Sequence, residues 1–276
     1  MNELWAGLLI VFVFYALFLF GCFAVVTFLP ASFLGSPAKV VLSWVPPFLG
    51  GEALRQWAAA GAERITREQL AGERSAAKVE RLAVELEDAA MQAMLPLASP
   101  EERARVVACP KTGQGLVGVS APEALAIAAY IRKHLSRAEQ QRIYETAVRN
   151  ATRIASSAKS DEALSPLPCA LQGKDHVCCV YASRPLRCRP LHAIAIAKES
   201  AGADAPSAAA EPQATPASYE ATVVQGMEMG VARALKAAGL EANVYELNSA
   251  VAAALGTSDA AERWARGESV FQNPLR

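Results

Sequence analysis

The sequence predicts an all-α protein that has an N-terminal transmembrane helix, a helical arm and a mainly helical domain with a cysteine-rich loop. Ala, Leu, Glu and Arg dominate the 276 residues, and the alternation that is typical of strands is scarce. A long apolar run opens the chain, and amphipathic patterns that begin with helix-capping residues recur after it. Beyond the apolar run, enough chain remains for one domain of ordinary size plus the arm.

The apolar run from Leu4 to Leu29 carries no charged residue and is long enough to cross a bilayer as a helix. It predicts a transmembrane anchor at residues 1–30 that contacts lipid through residues 4–29. A cleaved signal peptide fits poorly, because the run is long and no basic residue precedes it. Cys22 lies inside the run, where it is either an ordinary apolar residue or a lipidation target.

The charges that flank the run give its orientation. Glu3 precedes the run, and the basic residues Lys39 and Arg55 follow it. The positive-inside rule therefore predicts a single-pass protein of the inner (cytoplasmic) membrane whose domain faces the cytoplasm. Residues 31–51 mix aromatic residues with prolines. They are interpreted as a membrane-surface segment, and a loop that packs on the domain is an equal alternative.

Residues 52–100 form the predicted helical arm. The stretch from Glu52 to Leu95 has no proline and favours helix. Its apolar residues recur at steps of three and four, which predicts a face that packs either on the domain or on a second copy of the chain. This stripe consists of Val79, Leu82, Leu86, Ala89 and Ala93.

The predicted domain has a first part at residues 101–198, a flexible linker at 199–218, and a C-terminal helical part at 219–276. Ser120 with Glu123, and Ser136 with Glu139, are capping-box pairs. They predict helices near 121–135 and 137–157. Later patterns predict a helix from Tyr219 to Ala238 that Gly239 caps, a helix from Ala242 to Leu255, and a short helix that ends near Gly267. Residues 190–198 form a short apolar segment without an assigned helix.

Several functions are disfavoured by composition and motifs. The chain has 27 basic and 27 acidic residues, so no general attraction to nucleic acid is expected. Gly113, Gly115 and Gly118 have the spacing of a dinucleotide-binding loop, but no strand pattern precedes them. No serine–histidine–aspartate order, zinc-protease motif or phosphate loop stands out. Catalysis therefore stays open, without a catalytic residue to name.

The stretch from Cys169 to Arg189, CALQGKDHVCCVYASRPLRCR, contains four of the six cysteines. Cys169, Cys178 and Cys188 have the spacing of ligands that two loops present. The three arginines at 184, 187 and 189 are expected to favour the thiolate form, which binds metals or attacks electrophiles. Clustered cysteines in a chain of this size indicate metal binding or catalysis rather than a disulfide scaffold.

Three motifs in this stretch, in this order, resemble the second half of the bacterial CxxCxxCC cysteine-cluster family, which is thought to chelate zinc or iron. They are Cys169, the CCVY that begins at Cys178, and the RPLRCR that begins at Arg184. VSAPEALAIA, from Val119 to Ala128, is similar to the family's helix after its first cysteine group. Cys109 matches the first cysteine of that group, whereas Thr112 and Gly113 stand where the paired cysteines would be. The resemblance covers roughly residues 108–271.

The motifs and the resemblance together predict one metal centre. Its four ligands are Cys109, Cys169, Cys178 and Cys188. A closed set of four thiolates suits either zinc or an iron–sulfur cluster, and the spacing does not separate the two. His176 and His192 are reserve ligands. Cys179 is expected to be dispensable, because the side chains of adjacent residues diverge in an extended loop. The alternative is a vestigial cluster whose cysteines are small buried apolar groups.

Three functions follow as hypotheses. The first is a membrane-anchored metal-binding or electron-relay protein, an accessory subunit that acts through a membrane protein complex or a homodimer. The second is an iron–sulfur-dependent enzyme that modifies proteins. Some members of the resembled family are described as lysine N-methylases, although no cosubstrate-binding signature is visible here. The third is a purely structural subunit of a membrane complex.

Overall fold

The computed structural model describes residues 51–95, 116–157, 167–173, 177–200 and 218–275. All of them belong to the unit Leu42–Arg276, one of the two units into which the chain divides. The predicted anchor, the membrane-surface segment except Gly51, Cys109 and most of the linker lie outside the described residues. Among the helices of the described ranges, none is long and apolar enough to cross a bilayer.

The described part of the chain is mainly helical, which confirms the all-α part of the predicted fold class. Two short 3₁₀ turns, Tyr181–Ser183 and Leu186–Cys188, interrupt the cysteine-rich stretch. A two-stranded antiparallel sheet pairs β1 (Gly118–Ser120) with β2 (Val244–Glu246). The helices are α1 (Gly51–Leu70), α2 (Ala76–Met94), α3 (Ala121–His134), α4 (Arg137–Ser157), α5 (Arg189–Ser200), α6 (Tyr219–Ala237), α7 (Leu247–Gly256) and α8 (Ala260–Ala265).

The capping signals in the sequence mark helix starts correctly. Glu123 accepts hydrogen bonds from the backbone N–H and the hydroxyl of Ser120, at 2.8 and 2.7 Å. Glu139 accepts from the same two groups of Ser136, at 3.1 and 2.7 Å. At the end of α6, Gly239 has a φ of 70°, the left-handed conformation that glycine adopts without strain.

The two helices of the predicted arm are part of the helical domain. α1 packs mainly against α6, and α2 packs against α1, α3, α5, α6 and α8. The predicted stripe of α2 is buried along its whole length. The sequence predicts that the stripe packs either on the domain or on a second copy of the chain. In the structure it packs on the chain's own domain.

Local structure departs from the sequence prediction at three places. The helix predicted over 52–95 breaks between α1 and α2, where Gly72 has a φ of 69°. The start of the helix predicted at 242–255 is instead β2, because β1 supplies a partner that is distant in sequence. Residues 190–198 lie within helix α5, whose first turn tolerates Pro190 because an N–H there needs no helical partner.

Candidate functional site

The first half of the cysteine stretch folds back on itself. Gln172 and Cys178 form an antiparallel bridge, and the backbone N–H of Cys179 donates to the carbonyl of Leu171 at 2.8 Å. Cys169 begins the outgoing limb, and its carbonyl accepts from the N–H of Gln172 at 3.1 Å. The fold-back therefore brings Cys169 and Cys178 to neighbouring limbs of one loop.

A buried asparagine on α4 fixes the base of this loop. Asn150 Nδ2 donates to the carbonyl of Pro168 at 2.8 Å and to Asn248 Oδ1 at 3.1 Å. Asn248 Nδ2 in turn donates to Glu246 Oε1 at 2.6 Å. The sequence interpretation gave Asn150 no role. Its position seven residues after the buried Ile143, on the same helix face, is the signal that could have identified it.

The second half of the stretch is held by the carboxylate that caps α3. Glu123 Oε1 accepts a buried hydrogen bond from the backbone N–H of Leu186 at 2.7 Å. The N–H of Cys188 donates to the carbonyl of Pro185 at 2.9 Å, which closes the second 3₁₀ turn. One residue thus caps a helix and also positions the turn that presents Cys188.

Two of the three arginines in the stretch pair with carboxylates on other helices. Arg187 donates through Nε and Nη2 to the two carboxylate oxygens of Glu228 on α6, at 2.6 and 3.0 Å. Arg189 forms a buried ion pair with Glu87 on α2, with Nη2 and Oε2 2.9 Å apart. These pairs tie the stretch to both helices, so neither arginine has its charge directed at the cysteines.

Arg184 differs from the other two arginines. It is 2% exposed, and its guanidinium carbon lies 3.8 Å from the centroid of the Tyr181 ring. Its Nε and Nη2 are buried and have no hydrogen-bond partner in the described part of the chain. Burial, and next Arg189, lower the pKa of this guanidinium, whereas Tyr181, Cys178 and Cys188 raise it. Arg184 is therefore a buried cation with part of its hydrogen-bonding capacity unmet among the described residues.

Cys178 is the most buried cysteine of the described residues, at 9% exposure, and Cys169 and Cys188 are partly exposed. Burial raises the pKa of Cys178 far above its ordinary value, and Cys169 and Cys188 raise it further. The expectation that arginines would favour the thiolate is therefore wrong for Cys178, because desolvation outweighs the opposing effect of Arg184.

Cys179 lies in different surroundings from its neighbour Cys178. Its sulfur accepts a hydrogen bond from Arg142 Nη2 of α4 at 3.5 Å. A Cβ at Gly173 would lie 3.3 Å from the same sulfur. Cys178 thus lies in the bridge with Gln172, whereas Cys179 begins the turn that follows it.

Three of the four predicted ligands thus lie in one region, and Cys109 lies outside the described residues. His176 also lies outside them, and only the backbone of His192, in α5, is described. Within the described ranges, no three His, Cys, Asp or Glu side chains are already arranged to hold a metal ion. The described cysteines thus share one stretch of the chain, but they do not form a finished metal site.

Comparisons of the chain with protein-family models, with curated proteins and with solved structures each return no match. The resemblance to the CxxCxxCC family stays a prediction that depends on the quoted motifs.

Proposed function

We propose that this chain is a membrane-anchored metal-binding protein in which Cys109, Cys169, Cys178 and Cys188 hold one zinc ion or iron–sulfur cluster. The observation that supports the proposal is the fold-back of the stretch, in which the bridge between Gln172 and Cys178 sets Cys169 and Cys178 on neighbouring limbs of one loop. Thiolates are the ligands that zinc and iron–sulfur clusters both accept, and four of them complete a closed tetrahedral site.

Metal binding would change both the charge and the positions of these sulfurs. A bound cation deprotonates a coordinating thiol outright, which removes the preference of Cys178 for its neutral form. It would also draw the three described sulfurs together and bring in Cys109, which is more than fifty residues away in sequence. Closing such a long loop means that part of the binding free energy becomes folding free energy.

The first prediction compares two cysteine variants of the full-length protein, purified in detergent without oxygen. Cys188→Ser should lose most of the bound metal and melt at a lower temperature, because a ligand is missing. Cys179→Ser should keep the bound metal and the melting temperature of wild type, since its sulfur accepts a hydrogen bond from Arg142 on α4. Elemental analysis and thermal unfolding measure the two effects, and absorption from thiolate-to-iron charge transfer distinguishes iron from zinc.

Two results would contradict this assignment. Equal metal loss in Cys188→Ser and Cys179→Ser would show that Cys179 contributes to metal binding as much as Cys188 does. A wild-type protein that carries no metal after anaerobic purification, and takes up none of the added zinc or iron, would favour the vestigial cluster.

The second prediction concerns the membrane. The charge-free run from Leu4 to Leu29 supports an anchor, and the basic residues after it support a domain in the cytoplasm, where thiols stay reduced. The domain should stay with the membrane fraction and resist protease added outside spheroplasts. It should be degraded once the membrane is opened. Degradation in intact spheroplasts would reverse the proposed orientation. Such an anchored domain is suited to an accessory or relay role in a membrane complex or a homodimer.

A further inference from the structure

A cleft of about 790 Å³ lies where the ends of α3 and α7 meet the first turns of α4. Its volume is within the range of about 300–1,000 Å³ that is typical of small-molecule sites. Arg132 at the end of α3, Arg137 and Tyr144 on α4, and Leu255 at the end of α7 are among the residues that line it. None of the described cysteines lines it, so the cleft is separate from the proposed metal site.

Arg132 is held in place by the end of α7. Its Nη2 donates to the carbonyl oxygens of Ala254, Leu255 and Thr257, at 2.6, 3.3 and 2.9 Å. These bonds satisfy carbonyls that the end of a helix leaves without partners. The Nε and Nη1 groups make no hydrogen bond to the described residues. The guanidinium is therefore fixed before a ligand arrives and keeps two donor groups for it, which lowers the cost of binding.

Arg137 brings a second guanidinium to the cleft. Its side chain is exposed and forms no ion pair with the described residues. The described residues that line the cleft include no Asp or Glu. Glu139, two residues along α4, instead accepts hydrogen bonds from Ser136 at 3.1 and 2.7 Å. Two guanidinium groups in a lining without a carboxylate attract an anion, and their planar shape matches the oxygens of a phosphate or a carboxylate.

The other side of the cleft is apolar. Leu135, between α3 and α4, is half-buried in the lining, and the Tyr144 ring is 36% exposed. Gly256 has no side chain that could cover this ring, since a Cβ there would lie 3.6 Å from the ring carbon Cε2 and the hydroxyl oxygen. A ligand with an apolar or aromatic part can therefore contact the ring and the leucine.

We propose that this cleft binds a small molecule that carries a phosphate monoester on an apolar or aromatic body. A phosphate monoester has a charge of about −1.5 to −2 near pH 7 and three strong acceptor oxygens, so it suits two guanidinium groups better than a single carboxylate does. The phosphate contacts Arg132 and Arg137, and the body contacts Leu135 and Tyr144. This binding site goes beyond the proposed metal-binding function and does not depend on it.

The test uses full-length protein in a nonionic detergent, with phenyl phosphate as the probe. Benzoate, which has one charge, and benzyl alcohol, which has none, are the comparison compounds. Ligand-observed NMR titration gives a Kd for each. Wild type should bind phenyl phosphate most tightly and benzyl alcohol least. Its affinity for phenyl phosphate should rise as the pH rises through about 6, where a phosphate monoester gains its second charge, and its affinity for benzoate should not. Metal-stripped protein should give the same Kd values.

Arg137→Gln should bind phenyl phosphate about 10-fold more weakly or worse, the loss expected when a hydrogen bond to a charged group is removed. Arg153→Gln is the matched control, because Arg153 is an exposed arginine of the same helix that does not line the cleft. Its Kd should stay within about twofold of wild type. Tyr144→Ala should weaken phenyl phosphate but not inorganic phosphate. Arg132 is left unchanged, because its removal would also release the end of α7.

Three results would overturn the inference. They are no binding of phenyl phosphate to wild type, equal affinity for benzyl alcohol, and equal weakening in Arg137→Gln and Arg153→Gln, which would reduce the effect to general charge attraction. If Arg137→Gln melts below wild type, the pH dependence of the wild-type Kd decides, and a parallel pH profile for benzoate would overturn the preference for phosphate.

A last comparison identifies the source of the phosphate monoester. Full-length protein is placed in phosphatidylcholine bilayer discs with or without phosphatidic acid, whose headgroup is a phosphate monoester. Displacement of phenyl phosphate by phosphatidic acid would support the site and assign it to a lipid headgroup. Undiminished binding of phenyl phosphate would support the site and assign it to a soluble molecule.

Discussion

At the scale of single residues, the cysteine stretch is held in part by Glu87, a buried carboxylate whose pKa is raised by burial and lowered by neighbouring arginines. Glu87 and Arg189 form an ion pair in which both side chains are almost fully buried. Burial raises the pKa of Glu87 to about 8, although Arg189 opposes the rise. Glu123 and Asp88 add to the rise, and Arg184 also opposes it. Desolvation of the carboxylate is thus stronger than the attraction of its partner.

This raised pKa predicts how stability changes with pH. A carboxyl group whose folded-state pKa lies above its unfolded value stabilises the fold below the ordinary pKa of 4.5, and the contribution is lost as the pH rises through about 8. The free energy of unfolding should therefore fall between about pH 4.5 and about pH 8, by an amount on the order of a few kcal/mol. Denaturant unfolding across this range measures it.

Glu87→Gln is the matched comparison for this pH dependence. The amide keeps the size of the side chain and a hydrogen bond to Arg189, but it does not titrate. Its free energy of unfolding should change less with pH than that of wild type. Parallel pH profiles for the two proteins would assign the dependence to other groups.

The residues that hold the site show how far the sequence could predict it. Capping residues are close to one another in sequence, so the Ser120–Glu123 pair could be predicted from its spacing. The second bond of Glu123, to Leu186, joins residues 63 positions apart, and no local pattern encodes it. The same holds for the link of Asn150 to Asn248, 98 positions away. The metal site of Cys169, Cys178 and Cys188 stays a prediction from the motifs, and no local pattern indicates that Arg184 Nε and Nη2 are buried without a hydrogen-bond partner.

At the scale of elements, α1 and α6 approach so closely that only glycine fits at two positions of α6. A Cβ on Gly226 would collide with the carbonyl oxygen of Arg55, and a Cβ on Gly230 with that of Ala59. These are backbone atoms of a helix, which cannot move aside as a flexible side chain would. The close contact explains why α1 belongs to the domain, although its sequence pattern alone indicated only a helix.

Gly230→Ala should therefore destabilise the domain, even though alanine favours helix by about 1 kcal/mol over glycine. Overpacking against backbone costs about 1–3 kcal/mol, and more where no relaxation is possible. Gly51→Ala is the matched control, because a Cβ at Gly51, the first residue of α1, would contact nothing within 4 Å. Urea unfolding should show a lower midpoint for Gly230→Ala alone. Equal midpoints would mean that the two helices separate more readily than their packing indicates.

At the scale of the whole domain, the candidate site depends on helices from both ends of the sequence. Glu87 on α2, Glu123 on α3 and Glu228 on α6 each hold one residue of the segment from Leu186 to Arg189. The predicted arm is thus part of the scaffold that positions the cysteines. A sequence pattern shows that a helix has an apolar face, but the surface that covers that face is set by long-range packing.

The last prediction tests that packing through α2. Leu86 is almost completely buried against the domain, whereas Val84, two residues earlier, is 47% exposed. Leu86→Lys places an unpaired ammonium group in the core and removes apolar contacts, so it should cost at least about 3 kcal/mol. Val84→Lys, which adds the same charge to the same helix, should cost less than about 0.5 kcal/mol. Thermal unfolding at a low and a high protein concentration, in the same detergent, measures both. Because the stripe is covered by the chain's own domain, the loss in Leu86→Lys should be the same at both concentrations. A loss that appears only where wild type is dimeric would instead identify the stripe as a contact between two copies.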